Sequence, residues 1–381
     1  MTTPSQTSKT YRLIAQNILT REFIDWDLPV SDVQITYTLS GPNLLRGKLV
    51  PELQDFLIND INLEPKATWI HVEQDNHIRA SFILQPGEVG ADGSISFVGE
   101  GFSGYPHGQP FQGLYFQNDV DPLDVVRVIW NYLLNSPRSN LGITVSADIS
   151  PVRVGNQVDL SNDTVRPYTL FWWDNVDCGG AIDALAKSTP FDYTEFSYWH
   201  ASDHSDIGHL LVLGYPRLGS RRFDLSFVTG ENILSIVLLR EEPNQYASEV
   251  VVIGAGSGAD SIRGYAANII GSRIKQAKAI TDKTIISVDD ANKRAQAELR
   301  NAQAFLQIRQ IVILDKHDNA SLGDFSVGDD IPIDAEVYWY GNFKMWCRIL
   351  SYDWNPGLGT ITINLANSDQ FNYGPPPPVF A

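Results

Sequence analysis

The sequence predicts a mainly β protein with α+β inserts. Three observations carry that prediction: alternating apolar and polar runs of strand length recur in the first and last parts of the chain, turn residues punctuate them, and helical periodicity is confined to a few segments. Regularly spaced strands without long intervening helices indicate a sandwich or a barrel.

The first strands are expected at Tyr11 to Asn17, Asp32 to Leu39, Leu45 to Val50, Trp69 to Glu73, His77 to Leu84 and Ser94 to Phe102. Asp75-Asn76 supplies a hairpin turn, and a short helical piece, Pro51 to Ile58, is placed to plug one end of the unit. The composition then changes. Asp121 is positioned to cap, and Pro122 to open, a helix running to about Asn135. Leu123, Val125, Val126, Val128, Ile129, Trp130, Tyr132 and Leu133 cover most of its circumference, so it is expected inside a domain or at a subunit contact. Strands at Ile143 to Ser146, Tyr168 to Trp173 and Tyr193 to His200, with a short helix near Gly180 to Lys187, complete an α+β segment.

From about Ile207 the pattern is again β-rich, with strands expected at His209 to Tyr215, Arg222 to Val228, Ile233 to Arg240 and Glu249 to Ile253. A helix from Val288 to about Leu306 opens with a Ser287/Asp290 capping box, and Val288, Ala291, Ala295, Leu299, Ala302 and Leu306 form its apolar stripe. Strands return at Ile308 to Leu314, Asp330 to Ile333, Glu336 to Tyr340, Phe343 to Asp353 and Thr360 to Leu365, with turns at Gly341-Asn342 and Asn355-Pro356-Gly357. The closing GPPPPVFA reads as a polyproline linker or contact arm. The expected divisions are an N-terminal arm (1–10), a first β unit (11–118), an α+β insert (119–205), a second β unit (206–367) with a helical insert at about 266–307, and a Pro-rich arm (368–381).

An internal echo links the two β units. SGPNLLRGKL (Ser40 to Leu49) recurs in outline as TGENILSIVL (Thr229 to Leu238), sharing a Gly, an Asn and two Leu. A true duplication places Gly41 and Gly230 in equivalent turns or strand entries, and Leu45 and Leu234 in corresponding barrel cores.

At 381 residues, 43% hydrophobic and 19% charged, the chain is an ordinary folded protein with room for several domains. No apolar run reaches membrane-spanning length, and the polar start MTTPSQTSKT predicts neither signal peptide nor membrane anchor, so synthesis in a cytoplasm is expected. Two cysteines, Cys178 and Cys347, cannot build a disulfide framework or a four-thiolate zinc site. Cys347 shares the apolar face of a strand with Phe343, Met345 and Ile349, and reads as a buried, inert thiol. A net charge of −17, from 28 basic against 45 acidic residues, argues against specific nucleic-acid binding. It suits a wall past which DNA slides without being held.

Three motifs invite a chemical reading. In VVVIGAGSGAD, Gly254, Gly256 and Ala259 match a dinucleotide-binding spacing, but Gly264 interrupts the following segment and no acidic strand end follows at the required distance. HASDHSDIGH gathers His200, Asp203, His204, Asp206 and His209 without a recognised zinc spacing, so a polar loop is the simpler reading. Asp174 with Asp177, and Asp192 with Glu195, lie among Trp172, Trp173, Tyr193 and Trp199, a composition that suits a sugar cleft. No nucleophile elbow, Cys-His pairing or phosphate-binding loop is present in the sequence. No catalytic, cofactor-binding or metal-binding residue is therefore assigned, and no cofactor is expected.

The order of parts, with TGENIL, VVVIGAGSGAD, DDANKRAQAELRNAQAF and FSVGDDIPI in sequence, resembles baseplate hub proteins of tailed phages. It looks most like minor tail proteins of siphophages infecting actinobacteria. The likeness spans Tyr11 to Asn367, with the clearest matches at Thr229 to Leu234, Glu249 to Asp260 and Phe325 to Ile333. The resemblance implies a phage baseplate-hub architecture of two tandem β-barrel domains plus smaller helix-containing domains. It also implies a non-enzymatic homotrimer at the virion tail tip, adapting the sixfold tail tube to threefold parts and gating the channel for DNA ejection. Implied partners are the distal tail protein or tail-tube ring, the tape measure protein, and other minor tail or receptor-binding proteins. The all-round apolar helix and the Pro-rich arm are the expected contacts. The alternative is a carbohydrate-binding or cell-wall-degrading tail protein using the 172–199 cluster.

Overall fold

The computed structural model describes residues 11–49, 63–88, 90, 95–159, 164–189, 191–200, 203–239, 246–256, 258–269, 271–282, 285, 287–303, 307–337 and 341–368. The expected N-terminal arm, the helix at Pro51 to Ile58 and the Pro-rich segment after Ser368 lie outside the described residues.

The first β unit comprises β1 (Tyr11–Asn17), β2 (Phe23–Asp25), β3 (Val30–Thr38), β4 (Leu44–Leu49), β5 (Thr68–Gln74), β6 (His77–Gln85) and β7 (Ile95–Gly101). Asp75 and Asn76 take φ of 51° and 67°, the mirror-image turn that matches strand twist in a two-residue hairpin. The insert contains β8 (Leu114–Gln117), α1 (Pro122–Leu134), β9 (Ile143–Val145), β10 (Gln157–Asp159), β11 (Thr164–Arg166), β12 (Tyr168–Phe171), α2 (Cys178–Ser188), β13 (Asp192–Trp199) and β14 (Ile207–Gly214). The rest holds β15 (Phe227–Val228), β16 (Ile233–Leu239), β17 (Glu249–Ile253), β18 (Arg263–Ala267), β19 (Ala277–Thr281), α3 (Val288–Ala302), β20 (Gln307–Leu314), β21 (Asp330–Val337), β22 (Gly341–Asn355) and β23 (Thr360–Asn367).

The fold is mainly β, but the ladders correct the picture of two separate barrels. Among the described residues, thirteen strands form one open sheet along the path β16-β20-β23-β22-β3-β4-β7-β6-β5-β1-β2, with β21 joined to β22 and β15 to β21. The cause is β22, 15 residues long. Its first half pairs with β21, and Ser351 to Trp354 pair with Thr38 to Ile35 of β3. A bulge between Ile349 and Ser351 re-aims the strand between these duties. Both β units consequently share one apolar core, in which Ile35, Phe82, Ile311 and Trp354 are fully buried.

A second core fixes the insert. Every residue of β5 is buried, with Ile70 and Val72 in the shared core and Trp69 in the insert's core. The insert thus lies on the opposite face of β5 and β6. Asp121 caps α1 as expected, its carboxylate accepting the Leu123 N–H at 2.9 Å and the Ser150 N–H at 2.7 Å. Six residues spread around α1, Leu123, Val125, Val126, Ile129, Trp130 and Leu133, are buried within this core. That corrects the expectation of a partner contact, because the apolar circumference of α1 is covered by its own chain.

A third core joins β17 and β18 to α3. The Ser287 hydroxyl accepts the Asp290 N–H at 3.1 Å, as a capping residue should, and donates to the Asp290 carboxylate at 2.7 Å, so the reciprocal bond of the expected box is replaced by a side-chain one. Ala291 and Ala295 are fully buried, whereas Val288 is exposed, because the first turn of α3 precedes the contact. A Cβ at Gly264 would fall 2.2 Å from the Ala291 carbonyl carbon and oxygen, so helix and strand backbones meet there.

Two further expectations are corrected. The strand at Arg222 to Val228 reduces to Phe227–Val228, because Arg222 bonds Asp224 and the Asp324 carbonyl in a loop. Asp330 to Ile333 and Glu336 to Tyr340 are not separate: β21 runs through to Val337, and Gly341 pairs with it instead of turning.

The internal echo holds as a turn and fails as a register. Asn43 and Asn232 are both buried, and their side-chain oxygens accept the Thr38 and Val228 N–H groups, each at 2.9 Å. Gly230 has φ 88°, but in the first copy Ser40, not Gly41, carries the positive φ, at 54°. Leu45 is fully buried while Leu234 is 54% exposed. Ile233 takes the core position, so Leu234 faces outward by ordinary alternation, and the bulge between Ile233 and Ser235 then shifts the phase so that Ile236 and Leu238 face the core.

Replacing Gly264 by Val is expected to pry α3 from β18. Hydrogen exchange should speed up along α3 and stay unchanged in β5 and β6; unchanged exchange in α3 would show that the close approach carries no weight.

Candidate functional site

None of the three sequence motifs assembles as chemistry would require. Past β17, the Gly254 N–H bonds the Ile262 carbonyl and the chain returns as antiparallel β18, so among the described residues only a single 3-10 turn, Gly258–Asp260, and no α-helix stands between the two strands. The side chain of Ala259 lies outside the described residues.

The His/Asp loop disperses its ligand types. The Asp203 carboxylate accepts the Ser205 N–H at 3.1 Å, and His204 stacks on Trp199 with centroids 4.5 Å apart. The His200 N–H bonds the Asp206 carbonyl, and His209 turns inward. No group of three or more metal-ligating side chains converges among the described residues.

The acid pairs are committed elsewhere. Asp177 caps α2, accepting N–H groups of Gly180 and Gly108 at 2.7 and 2.6 Å. Asp174 is exposed beside it. Asp192 is buried and accepts from Arg348 at 2.5 Å and from the Leu218 N–H at 3.1 Å. Arg348, fully buried, also donates to the carbonyls of Gly328 and Leu218. This pair ties β22 to β13 and was missed in the sequence, although a lone Arg inside the apolar run Cys347 to Ile349 was its signal.

Nearby, Trp69 stacks on His209 with centroids 4.4 Å apart, and His71 lies 5.6 Å from His209. Gln16 donates its amide to the Arg21 carbonyl, so its Oε1 faces the His71 Nε2 at 3.1 Å. Nε2 therefore carries the proton, and Nδ1 accepts from the Ser81 hydroxyl at 2.7 Å. Burial, followed by the Arg21 charge, pulls His209 down to about 3. His71 is lowered well below its ordinary value by burial, then by His209 and Arg21, so two neutral rings can stack. Burial pushes Glu195 up to about 8 despite the Ser103 N–H that bonds it at 2.6 Å. The Cys178 and Cys347 thiols are raised to about 11 and about 12, chiefly by burial, which makes them poor nucleophiles at neutral pH.

What the insert presents outward is an aromatic ribbon. In the β8–β12 pair, Leu114 faces Phe171 and Tyr115 faces Leu170. Tyr115 and Leu170 pack inward on the insert core. Leu114, Phe116, Trp172 and Trp173 are 65%, 64%, 53% and 55% exposed. Phe171 stacks on Trp173 at 4.6 Å, and Trp173 meets Trp172 edge to face at 5.5 Å. Contiguous exposed apolar side chains of this kind are characteristic of surfaces used for association. Trp172 and Trp173 were singled out in the sequence, but for a sugar cleft; Leu114 and Phe116 were not, because alternation alone does not say which face meets solvent.

No family model matches the chain, and no curated protein matches it in sequence. Solved structures do share its fold. It is similar to the 43 kDa tail protein of prophage MuSo2 from Shewanella oneidensis, with TM-score 0.61 and 12% identity over 94% of this chain and 99% of that one. It is also similar to the tail protein from Neisseria meningitidis MC58, with TM-score 0.58 and 12% identity over 95% and 98% of the two chains. The prophage tail protein gp18 of Listeria monocytogenes gives TM-score 0.55 and 10% identity over 94% and 95%. The fold is therefore that of phage tail proteins.

The raised value of Glu195 has a measurable consequence. Between its ordinary value of 4.5 and its folded value of about 8, the unfolded chain holds this carboxyl ionised while the folded chain keeps it protonated. Stability from this group is thus fully present below 4.5 and is lost as pH rises toward about 8. Glu195→Gln should flatten the fall of Tm with pH across that window and raise Tm at its alkaline end; an unchanged slope would contradict the assignment.

Proposed function

We propose that this chain is a structural protein of a phage tail, forming a homotrimeric hub at the tail tip. The observation that carries the reading is the fold shared with three tail proteins over nearly the full length of both chains in each pair. Committed acids, dispersed histidines and raised thiols fit a role in assembly better than one in catalysis.

Trimerisation supplies the arithmetic of a tail tip. Each chain contributes two β units whose turns are held by Asn43 and Asn232 in the same manner, so three chains offer six related surfaces to a sixfold tube and three to the parts below. The acidic balance of −17 suits a channel that opens for DNA ejection without retaining DNA. The aromatic ribbon then faces neighbouring proteins: a distal tail or tube ring, the tape measure protein, or receptor-binding proteins. A siphophage tail is the setting that the sequence resemblance favours.

The exposed Trp172 and Trp173 keep a carbohydrate-binding alternative in view. A binding titration with host cell-wall polysaccharide separates it from the hub reading, which predicts no saturable uptake.

Native mass measurement should give three times the 42.4 kDa chain mass; a monomer at all concentrations would sink the trimer. A Leu114→Asp, Phe116→Asp variant should fold with unchanged Tm yet fail to restore tails in a phage lacking the wild-type chain. Restoration at wild-type levels would remove the ribbon as a contact.

A further inference from the structure

An aromatic pair of one exposed and one half-buried ring lies beside the end of β23, and we propose that it is the docking site of the chain's own Pro-rich C-terminal segment, residues 369–381. Phe223 is 76% exposed and meets Trp346 edge to face, with centroids 5.0 Å apart. Trp346 stands on β22 opposite Pro332. The Arg221 guanidinium covers one side of its ring at 4.9 Å. Aromatic rings flanked by a proline form the kind of surface that polyproline helices recognise, since the extended, low-entropy helix lays its pyrrolidine rings against aromatic faces.

The occupant is argued from the exit of the chain. The last ladder pair of β23 is Asn367 with Cys347, one residue from Trp346. Ser368 is buried, donates to Asp330 at 2.6 Å and accepts from Arg221 at 3.1 Å. Arg221 itself bonds Asp330 at 2.7 Å, so one guanidinium anchors the end of β23 and covers the aromatic pair. The segment that follows reads DQFNYGPPPPVFA. Asn372 and Gly374 are turn-forming types placed between the anchor and the four prolines Pro375 to Pro378. At about 3 Å per residue, the six residues from Asp369 to Gly374 give the chain ample reach to fold back over a ring adjacent to its own exit. This assignment does not depend on the hub reading.

The test uses the full chain with Phe380 replaced by photo-crosslinking benzoylphenylalanine, followed by peptide mapping. Cross-links should concentrate on Arg221 to Phe223 and on Met345 to Trp346. The added substitution Phe223→Ser, at an exposed position that leaves the core intact, should reduce them to background. Mixing isotopically light and heavy copies decides the occupant: links within one isotope class support docking on the same chain. Light-to-heavy links would overturn it in favour of a neighbouring copy. Links scattered over the surface, or none, would overturn the site altogether.

Discussion

The architecture depends on a buried charge pair, Arg348 with Asp192. A guanidinium with 0% exposure cannot stay charged in an apolar core without a carboxylate and further acceptors. Here Asp192 supplies the charge, and the carbonyls of Gly328 and Leu218 take further N–H groups. These partners come from β22, the start of β13 and the two loops between, so satisfying one side chain fixes how the insert meets the sheet. Backbone geometry around it obeys the same requirement. Gly219 and Gly328 take φ of 86° and 92°, and a Cβ on Gly219 would fall 2.1 Å from the Gly328 carbonyl group. Only glycine allows the loops to close that tightly over the pair. Asp329 and Asp330 extend the network, accepting from Ser220, Arg221 and Ser368.

Fixing the insert has a functional effect. Its core packs on Trp69 and Ile83 at the back of β5 and β6, and the same strands carry the shared core on their other face. A two-faced pair of strands transmits the position of the sheet to the insert without slack. The β8–β12 ribbon is thereby held at a defined place relative to both β units. The assembly role proposed above requires that property, because partners must meet surfaces at fixed separations. The neutral His71–His209 stack and Glu195 lie along this junction, tuned by burial to stay uncharged near neutral pH.

Local chemistry was legible in the sequence wherever one residue type has one strong local use. Asp121 before Pro122, Asp75-Asn76, and Ser287 with Asp290 each announced a cap or turn that the structure contains. Long-range pairing was not legible. The contact of Ile35 to Thr38 with Ser351 to Trp354 joins segments from opposite ends of the chain, and alternation reports which face is apolar without naming a neighbour. The sheet was therefore read as two barrels. Leu234 shows a subtler limit: Ile233 takes the core position and Leu234 faces outward, although the sequence match to the buried Leu45 is intact. For the site, aromatics at Trp172 and Trp173 were conspicuous, but Asp177, Asp192 and Glu195 gave no sign of being bound to backbone, to Arg348 or into the interior.

A double-mutant cycle on Arg348→Met and Asp192→Asn, read by chemical denaturation, tests the dependence most directly. Asp192→Asn removes the carboxylate that faces the buried Arg348 and should destabilise by about 3–5 kcal/mol, whereas Arg348→Met leaves Asp192 its second cation, Arg217 at 3.4 Å, and should cost less. The double variant should lose clearly less than the sum of the two. Additive losses would show that the two side chains are not coupled and that the insert is held to the sheet by packing alone.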